Sequence, residues 1–290
     1  MPPAPREEFL NAIARIEKLA PAPRTLARAL QLLKDPDSAL HSIAKLISCD
    51  SALAVEVLRC ANSAAYSRKA PTADVGEALQ VIGFHETIRL VSLVAGHQTT
   101  NRNLGSYGIA AGDFWAESLF NGLLLEALAN HVGVMDAGEA YTAGLLRFVG
   151  RLAIDHVLFE SGGNLFWDGQ APLSQWEREN VGLTQSEVAG RLLRTWEFPE
   201  HMILAIEKQD EPDSGTSAET HPLVQCLHFA ARIVPAGTGP GGIEALVATT
   251  PNFPEKHPLA IENQLDAATI ATLLKTAHEA FLSINETLYE

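Results

Sequence analysis

The chain has 290 residues, 47% of them hydrophobic, and 21 Lys and Arg against 35 Asp and Glu give a net charge of −14. That length supports one large domain or two small ones around a sizeable core. The acid excess speaks against DNA or RNA as a partner, because phosphate backbones are held by clustered Lys and Arg.

The charge is unevenly placed, with 12 basic and 10 acidic residues in 1–105 and 9 and 25 in 106–290. The opening Met1-Pro2-Pro3-Ala4-Pro5-Arg6-Glu7-Glu8 has no apolar leader, and no run approaches the ~18 apolar residues of a membrane span. Cys49, Cys60 and Cys226 form no CxxC pair and read as small hydrophobes in a reducing compartment. A soluble, cytoplasmic protein with no membrane contact is expected.

Hydrophobic spacing is helical almost throughout. Leu40, Ile43, Ala44 and Ile47 form one stripe, and Leu53, Val57, Cys60 and Ala61 form the next after a predicted Asp50 N-cap. Asp74-Val75-Gly76-Glu77 has capping-box spacing and opens a helix carrying Val75, Leu79 and Ile82, which Gly83 ends. A helix with Ile88, Val91 and Ala95 inward follows, and the polar stretch 96–112 is expected to break it. Phe120, Leu123, Leu124, Ala127 and Leu128, widened by Leu119 and Leu125, make a helix apolar nearly all round, as a central buried helix is. Asp136-Ala137-Gly138-Glu139 and Thr184-Gln185-Ser186-Glu187 are further capping boxes, starting helices through Leu145 and Leu192. Pro199 starts the helix of Ile203 and Ile206. Stretches 209–221, 234–242 and 250–258 read as exposed loops. The stripe Ile270, Leu273, Leu274, Ala277, Phe281, Ile284 and Leu288 closes the chain with a long helix, docked on its own core or on a second copy.

The predicted fold is therefore all-α. It divides into an N-terminal helical subdomain over 1–105, a helical core over 106–233 and a C-terminal helical extension over 234–290.

Four blocks along the N-terminal part carry a family pattern: Ala20-Pro21-Ala22-Pro23, Ile47-Ser48-Cys49-Asp50-Ser51-Ala52-Leu53, Leu58-Arg59-Cys60-Ala61-Asn62-Ser63-Ala64-Ala65-Tyr66, and Ala78-Leu79-Gln80-Val81-Ile82-Gly83-Phe84. Further on stands Leu145-Leu146-Arg147-Phe148-Val149-Gly150. This last run resembles the LLHDIG signature of HD phosphohydrolases, and the whole, over about residues 16–212, resembles the HDOD family of bacterial signalling output domains. The resemblance implies a bundle of short helices packed on a degenerate HD-type core. It also implies signal transduction without catalysis, through a signalling protein partner or a small effector.

HD chemistry needs several His and Asp donors converging on a divalent cation. At the ligand positions the resemblance places Glu117, Arg147 with Phe148, Gln185, Gln209 with Asp210, and Ala231. A guanidinium and an apolar ring cannot ligate a cation. No catalytic residue, metal or cofactor is therefore expected. Glu117, Arg147, Phe148, Gln185, Gln209 and Asp210 become a candidate ligand or partner cleft, with Arg147 as a forked donor for carboxylate or phosphate. Glu117 and Arg147 are read either as paired or as both turned to solvent.

Asn62, Ser63 and Tyr66 read either as a helix stop, with Asn62 left-handed, or as a contact in the groove between subdomains. His131, Asp136, Glu139, Asp155 and His156 form a weak alternative metal cluster. The glycine-rich stretch 237–242 lacks the Lys-Ser/Thr of a phosphate loop and reads as a linker. The rival function is a metal-dependent phosphohydrolase of nucleotides or cyclic dinucleotides with relocated ligands. A third reading, dimerisation through the C-terminal helix, adds a possible homo-oligomer.

Overall fold

Helix is the only regular structure among the described residues, save an isolated antiparallel bridge between Leu104 and Ile109. The computed structural model describes residues 36–48, 51–63, 66, 71–160, 162, 165–210, 221–235, 237–249 and 253–289. The block at 20–23, the Asp50 cap, Cys49, Ala64 and Ala65 lie outside them.

The N-terminal stripes become α1 (Pro36–Ser48), α2 (Ser51–Ala61), α3 (Val75–Ile82) and α4 (Phe84–Thr100). Ile43, Ile47, Leu53, Val57, Ala61 and Leu79 are buried together. Asp74 caps α3 by accepting the Glu77 N–H at 2.8 Å, but the Glu77 carboxylate takes the Thr72 hydroxyl at 2.8 Å instead of returning to the cap. Gly83 ends α3, as its sequence position predicts. Helix α4 corrects the expected break at Gly96 by running on to Thr100. Its last turns are polar yet self-satisfied, since the buried Thr99 and Thr100 hydroxyls donate to the carbonyls of Ala95 at 2.7 Å and Gly96 at 2.9 Å.

Beyond it come α5 (Ala111–Val132), α6 (Ala137–Leu146), α7 (Gly150–Glu160), α8 (Leu173–Asn180), α9 (Gln185–Thr195) and α10 (Glu200–Lys208). The C-terminal part adds α11 (Pro222–Ile233), α12 (Pro240–Ala248), α13 (Pro258–Glu262) and α14 (Ala267–Tyr289). Asp136 caps α6 at 2.9 Å, and Thr184 opens α9 with a reciprocal capping box. Two stretches read as loops contain helix starts: α12 begins at Pro240 and α13 at Pro258, where proline's fixed φ suits the first turn. Most of the stretch 209–221 lies outside the described residues.

Helix α5 sits at the centre, because apolar side chains on every side leave it no solvent face. It packs against α4, α6, α11, α12 and α14. Phe281 of α14 meets Phe120 of α5 edge to face at 6.4 Å, and Ile270, Leu274 and Ala277 of the same stripe are also buried. The inner stripe of the last helix is thus occupied by the chain's own core, and an oligomer through this helix would need its other side, where Leu282 is exposed. Helix α4 ends before the predicted boundary near residue 105 but packs on α5 and α6 beyond it. Its buried Ser92 hydroxyl hydrogen-bonds the Thr142 hydroxyl of α6 at 2.6 Å.

Two glycines set the spacing around the candidate site. A Cβ on Gly144 would stand 2.5 Å from the Asn121 carbonyl oxygen, so α5 and α6 touch backbone to backbone. A Cβ on Gly150 would overlap the Gln185 carbonyl, so α7 begins directly on the first turn of α9. No single helix among the described residues is long and apolar enough to cross a membrane.

Candidate functional site

These close approaches bring α5, the α6–α7 corner, α9 and the end of α10 onto one point. The residues proposed from the HD-like pattern do converge there, but not as an open cleft. Glu117, Arg147, Phe148, Gln185 and Gln209 are all buried, and only Asp210 is exposed. This corrects the cleft expectation: the point is a closed polar centre.

Arg147 caps α6 in helical conformation, with its side chain turned inward. Its Nε donates to the Gln209 amide oxygen at 2.9 Å and its Nη1 to the Asn121 amide oxygen at 2.7 Å. Gln209 returns its NH2 to the Arg147 carbonyl at 2.8 Å and the Ile206 carbonyl at 3.0 Å. The predicted Glu117–Arg147 pair is therefore replaced: the direct partners of Arg147 are neutral amides. Burial pulls its pKa down to about 10, opposed by Asp210 and Glu117.

The carboxylate of Glu117 belongs instead to Arg151, one turn further on. Arg151 Nη1 donates to Glu117 Oε2 at 2.8 Å, and both side chains are fully buried, at 0% and 1% exposure. The other oxygen, Oε1, accepts the Gly237 N–H at 2.6 Å. Both cations lie against the Phe148 ring, with the guanidinium carbons of Arg147 and Arg151 at 4.5 Å and 3.9 Å from its centroid. The residue standing in the aspartate position of the signature thus serves as a plate stacked against both arginines.

A second buried carboxylate adjoins this stack. Glu177 of α8 accepts the Tyr107 hydroxyl at 3.1 Å and the Gln185 N–H at 2.8 Å. Burial pushes its pKa up to about 7, opposed by the Gln185 N–H and the charge of Arg151. Asn121, Arg151, Glu177 and Tyr107 were not singled out from sequence. The one available signal was the i, i+4 spacing of Arg147 and Arg151 around Phe148.

These residues do not fit a catalytic cation. Of the positions where an HD enzyme carries donors, two hold carboxylates, Glu117, which is taken by Arg151 and the Gly237 N–H, and the exposed Asp210, while the others hold guanidinium, ring and amide groups. The weak alternative cluster is dispersed. Asp136 caps α6, Glu139 meets His201 at 3.2 Å, Asp155 accepts the Ser106 N–H at 2.7 Å, and His156 faces Glu160 at 3.4 Å. Among the described residues, no group of three or more His, Cys, Asp and Glu is placed to hold a metal.

The Asn62 motif also differs from its sequence reading. Asn62 is not left-handed; its amide pairs both ways with the Thr72 backbone, donating to the carbonyl at 2.9 Å and accepting the N–H at 2.8 Å. That latch ties the end of α2 to the entry of α3. Tyr66 packs on the core beside it, and burial, with Cys60 and Glu86 nearby, raises its hydroxyl pKa to about 12.

Residues 19–212 match the HDOD domain model. The chain belongs to the HDOD family. An uncharacterized protein of Treponema pallidum (strain Nichols) is 23% identical over 270 residues, which cover 92% of this HDOD chain and 51% of the relative. The chain thus spans about half the length of that protein. The fold is shared with a Shewanella amazonensis SB2B protein provisionally named a phosphohydrolase, at TM-score 0.63, 21% identity and 97% coverage of both chains. It is shared too with a Marinobacter aquaeolei VT8 protein provisionally named a signal transduction protein, at TM-score 0.66 and 20% identity, over 97% of this chain and 64% of that one.

Proposed function

We propose that this HDOD chain is a non-catalytic, cytoplasmic signal-transduction module that works through protein contacts or a small bound effector. The observation that carries this reading is the buried Arg147–Phe148–Arg151 stack at the place of the His-Asp pair. Two unit charges ~4 Å apart interact by about 4 kcal/mol at an effective dielectric of ~20, so each guanidinium opposes a divalent cation strongly. The Glu117 carboxylate is already held by Arg151 in a fully buried ion pair, so a cation would have to displace that pair to reach it.

Metal analysis of the purified chain, together with a phosphodiesterase screen over nucleotides and cyclic dinucleotides with added manganese, tests the reading. Substoichiometric metal and no turnover are the expected outcome. Tightly held stoichiometric metal with turnover would instead make the chain a phosphohydrolase with relocated ligands.

A further inference from the structure

The Arg151 guanidinium is only half used. One nitrogen, Nη1, holds Glu117, while Nε and Nη2 are buried and have no hydrogen-bond partner. Those two nitrogens share one edge of the guanidinium plane, the side-on fork that takes two oxygens of a carboxylate or phosphoryl group at once. The Phe148 ring centroid lies 3.9 Å from the guanidinium carbon of this group.

A second unpartnered group belongs to a residue whose backbone adjoins the start of α7. The amide oxygen of Gln185 is buried without a partner, and the Gln185 backbone packs directly on Gly150, the residue before Arg151. A side-chain amide can turn either its oxygen or its NH2 to a ligand. A charged buried donor left unmet is costly, so the fold has a strong demand for an acceptor at this edge.

Charge sets the kind of acceptor. Of the two buried guanidinium groups only Arg151 is bonded directly to a carboxylate, Glu117, while the Arg147 partners Asn121 and Gln209 are neutral. Asp210 acts on Arg147 from the exposed rim, and the carboxyl of Glu177 is held partly protonated at neutral pH. Gly237, whose N–H reaches the second Glu117 oxygen, is itself exposed, so the centre lies one backbone residue below the surface.

We propose that the free edge of Arg151, with the Gln185 amide, is a receptor for a small oxyanion, the carboxylate or phosphoryl group of an effector. The proposal builds on the non-catalytic reading and names the ligand class of that same centre.

The test is thermal unfolding and calorimetric titration of the full chain with inorganic phosphate, sulfate and acetate, against sodium chloride at matched ionic strength. A saturable rise in Tm with at least one oxyanion, absent with chloride, is expected. Phosphate or sulfate would identify a phosphoryl ligand, and acetate a carboxylate ligand. Arg151→Lys, which keeps the charge but lacks the two-nitrogen edge, should abolish the rise. Should that variant fail to fold, Gln185→Leu should still weaken binding about tenfold, the value of one hydrogen bond to a charged group. No saturable response beyond chloride, or a response unchanged in the variants that fold, overturns the site and assigns the edge to water. A null titration leaves the non-catalytic reading standing, because that reading is decided by metal content and turnover alone.

Discussion

Helix α5 looks two ways, and its two neighbourhoods are held together by different physics. On one side Glu117 and Asn121 face the arginines of the α6–α7 corner; on another Phe120 meets Phe281 of α14. Both regions are buried. The apolar seam is held by many weak, non-directional contacts, each lost in proportion to the atoms removed. The charged centre is held by a few directional bonds between groups that water would otherwise solvate, so each partner depends on the next. The seam should yield by degrees and the centre as a unit.

Breaking the centre gives the largest expected effect. Glu117→Ala should cost about 3–5 kcal/mol, because it strands Arg151 as an uncompensated buried charge. Adding Arg151→Met should recover at least ~1 kcal/mol relative to the sum of the two single changes. Urea denaturation of the four-member cycle measures this, and strict additivity would refute the coupling. At the seam Phe281→Ala should cost roughly 3 kcal/mol and Ile270→Val roughly 1 kcal/mol. These two positions are about 16 Å apart along α14, so their effects should add to within ~0.5 kcal/mol. A coupling as large as that of the centre would erase the contrast.

Titration sharpens the comparison, since the charged side holds a buried carboxyl with a strongly raised pKa. The raised pKa of Glu177 means the folded chain binds its proton more tightly than the unfolded chain does. Its contribution is fully present below the ordinary carboxylate pKa and is lost as the pH rises through about 7. Glu177→Gln should remove roughly 1–3 kcal/mol of that pH dependence. His257, lowered to about 4 by burial and by His228 and Arg232, acts in the opposite sense. Its share is present above the ordinary imidazole pKa and is lost as the pH falls towards about 4. Subtracting the Glu177→Gln curve from the parent curve isolates the first effect, and a flat difference between pH 4.5 and 7 would contradict it. The smallest effect belongs to a cap outside both regions: Thr184→Ala should cost about 1 kcal/mol by opening the capping box of α9. Loss of near-native magnitude there would mean that the cap also supports the centre through Gln185.

Much of this was legible from residues alone, and unevenly. The stripe from Ile270 to Phe281, the all-round apolar helix at Phe120 and the caps at Asp74, Asp136 and Thr184 depend on spacing within one segment, so periodicity exposes them. The run past Gly96 to Thr100 was not legible, because Thr99 and Thr100 look polar in sequence and satisfy themselves only inside a formed helix. Helix α8 carries little apolar patterning, and the value of Glu177 on it appears only where Tyr107 and Gln185 arrive from distant parts of the chain.

The exchange of His-Asp for Arg147-Phe148 was plain in the sequence, as was the all-helical architecture, since each is written in the identity and period of neighbouring residues. The choice of Arg151 over Arg147 as the partner of Glu117, and the burial of the whole centre, came only with tertiary structure. The physical reason is that a lone charged residue in a sequence belongs at the surface by default. It stays inside here because Gly144 lets α5 come close enough to supply Glu117 and Asn121 to the corner that carries both arginines and the Phe148 plate.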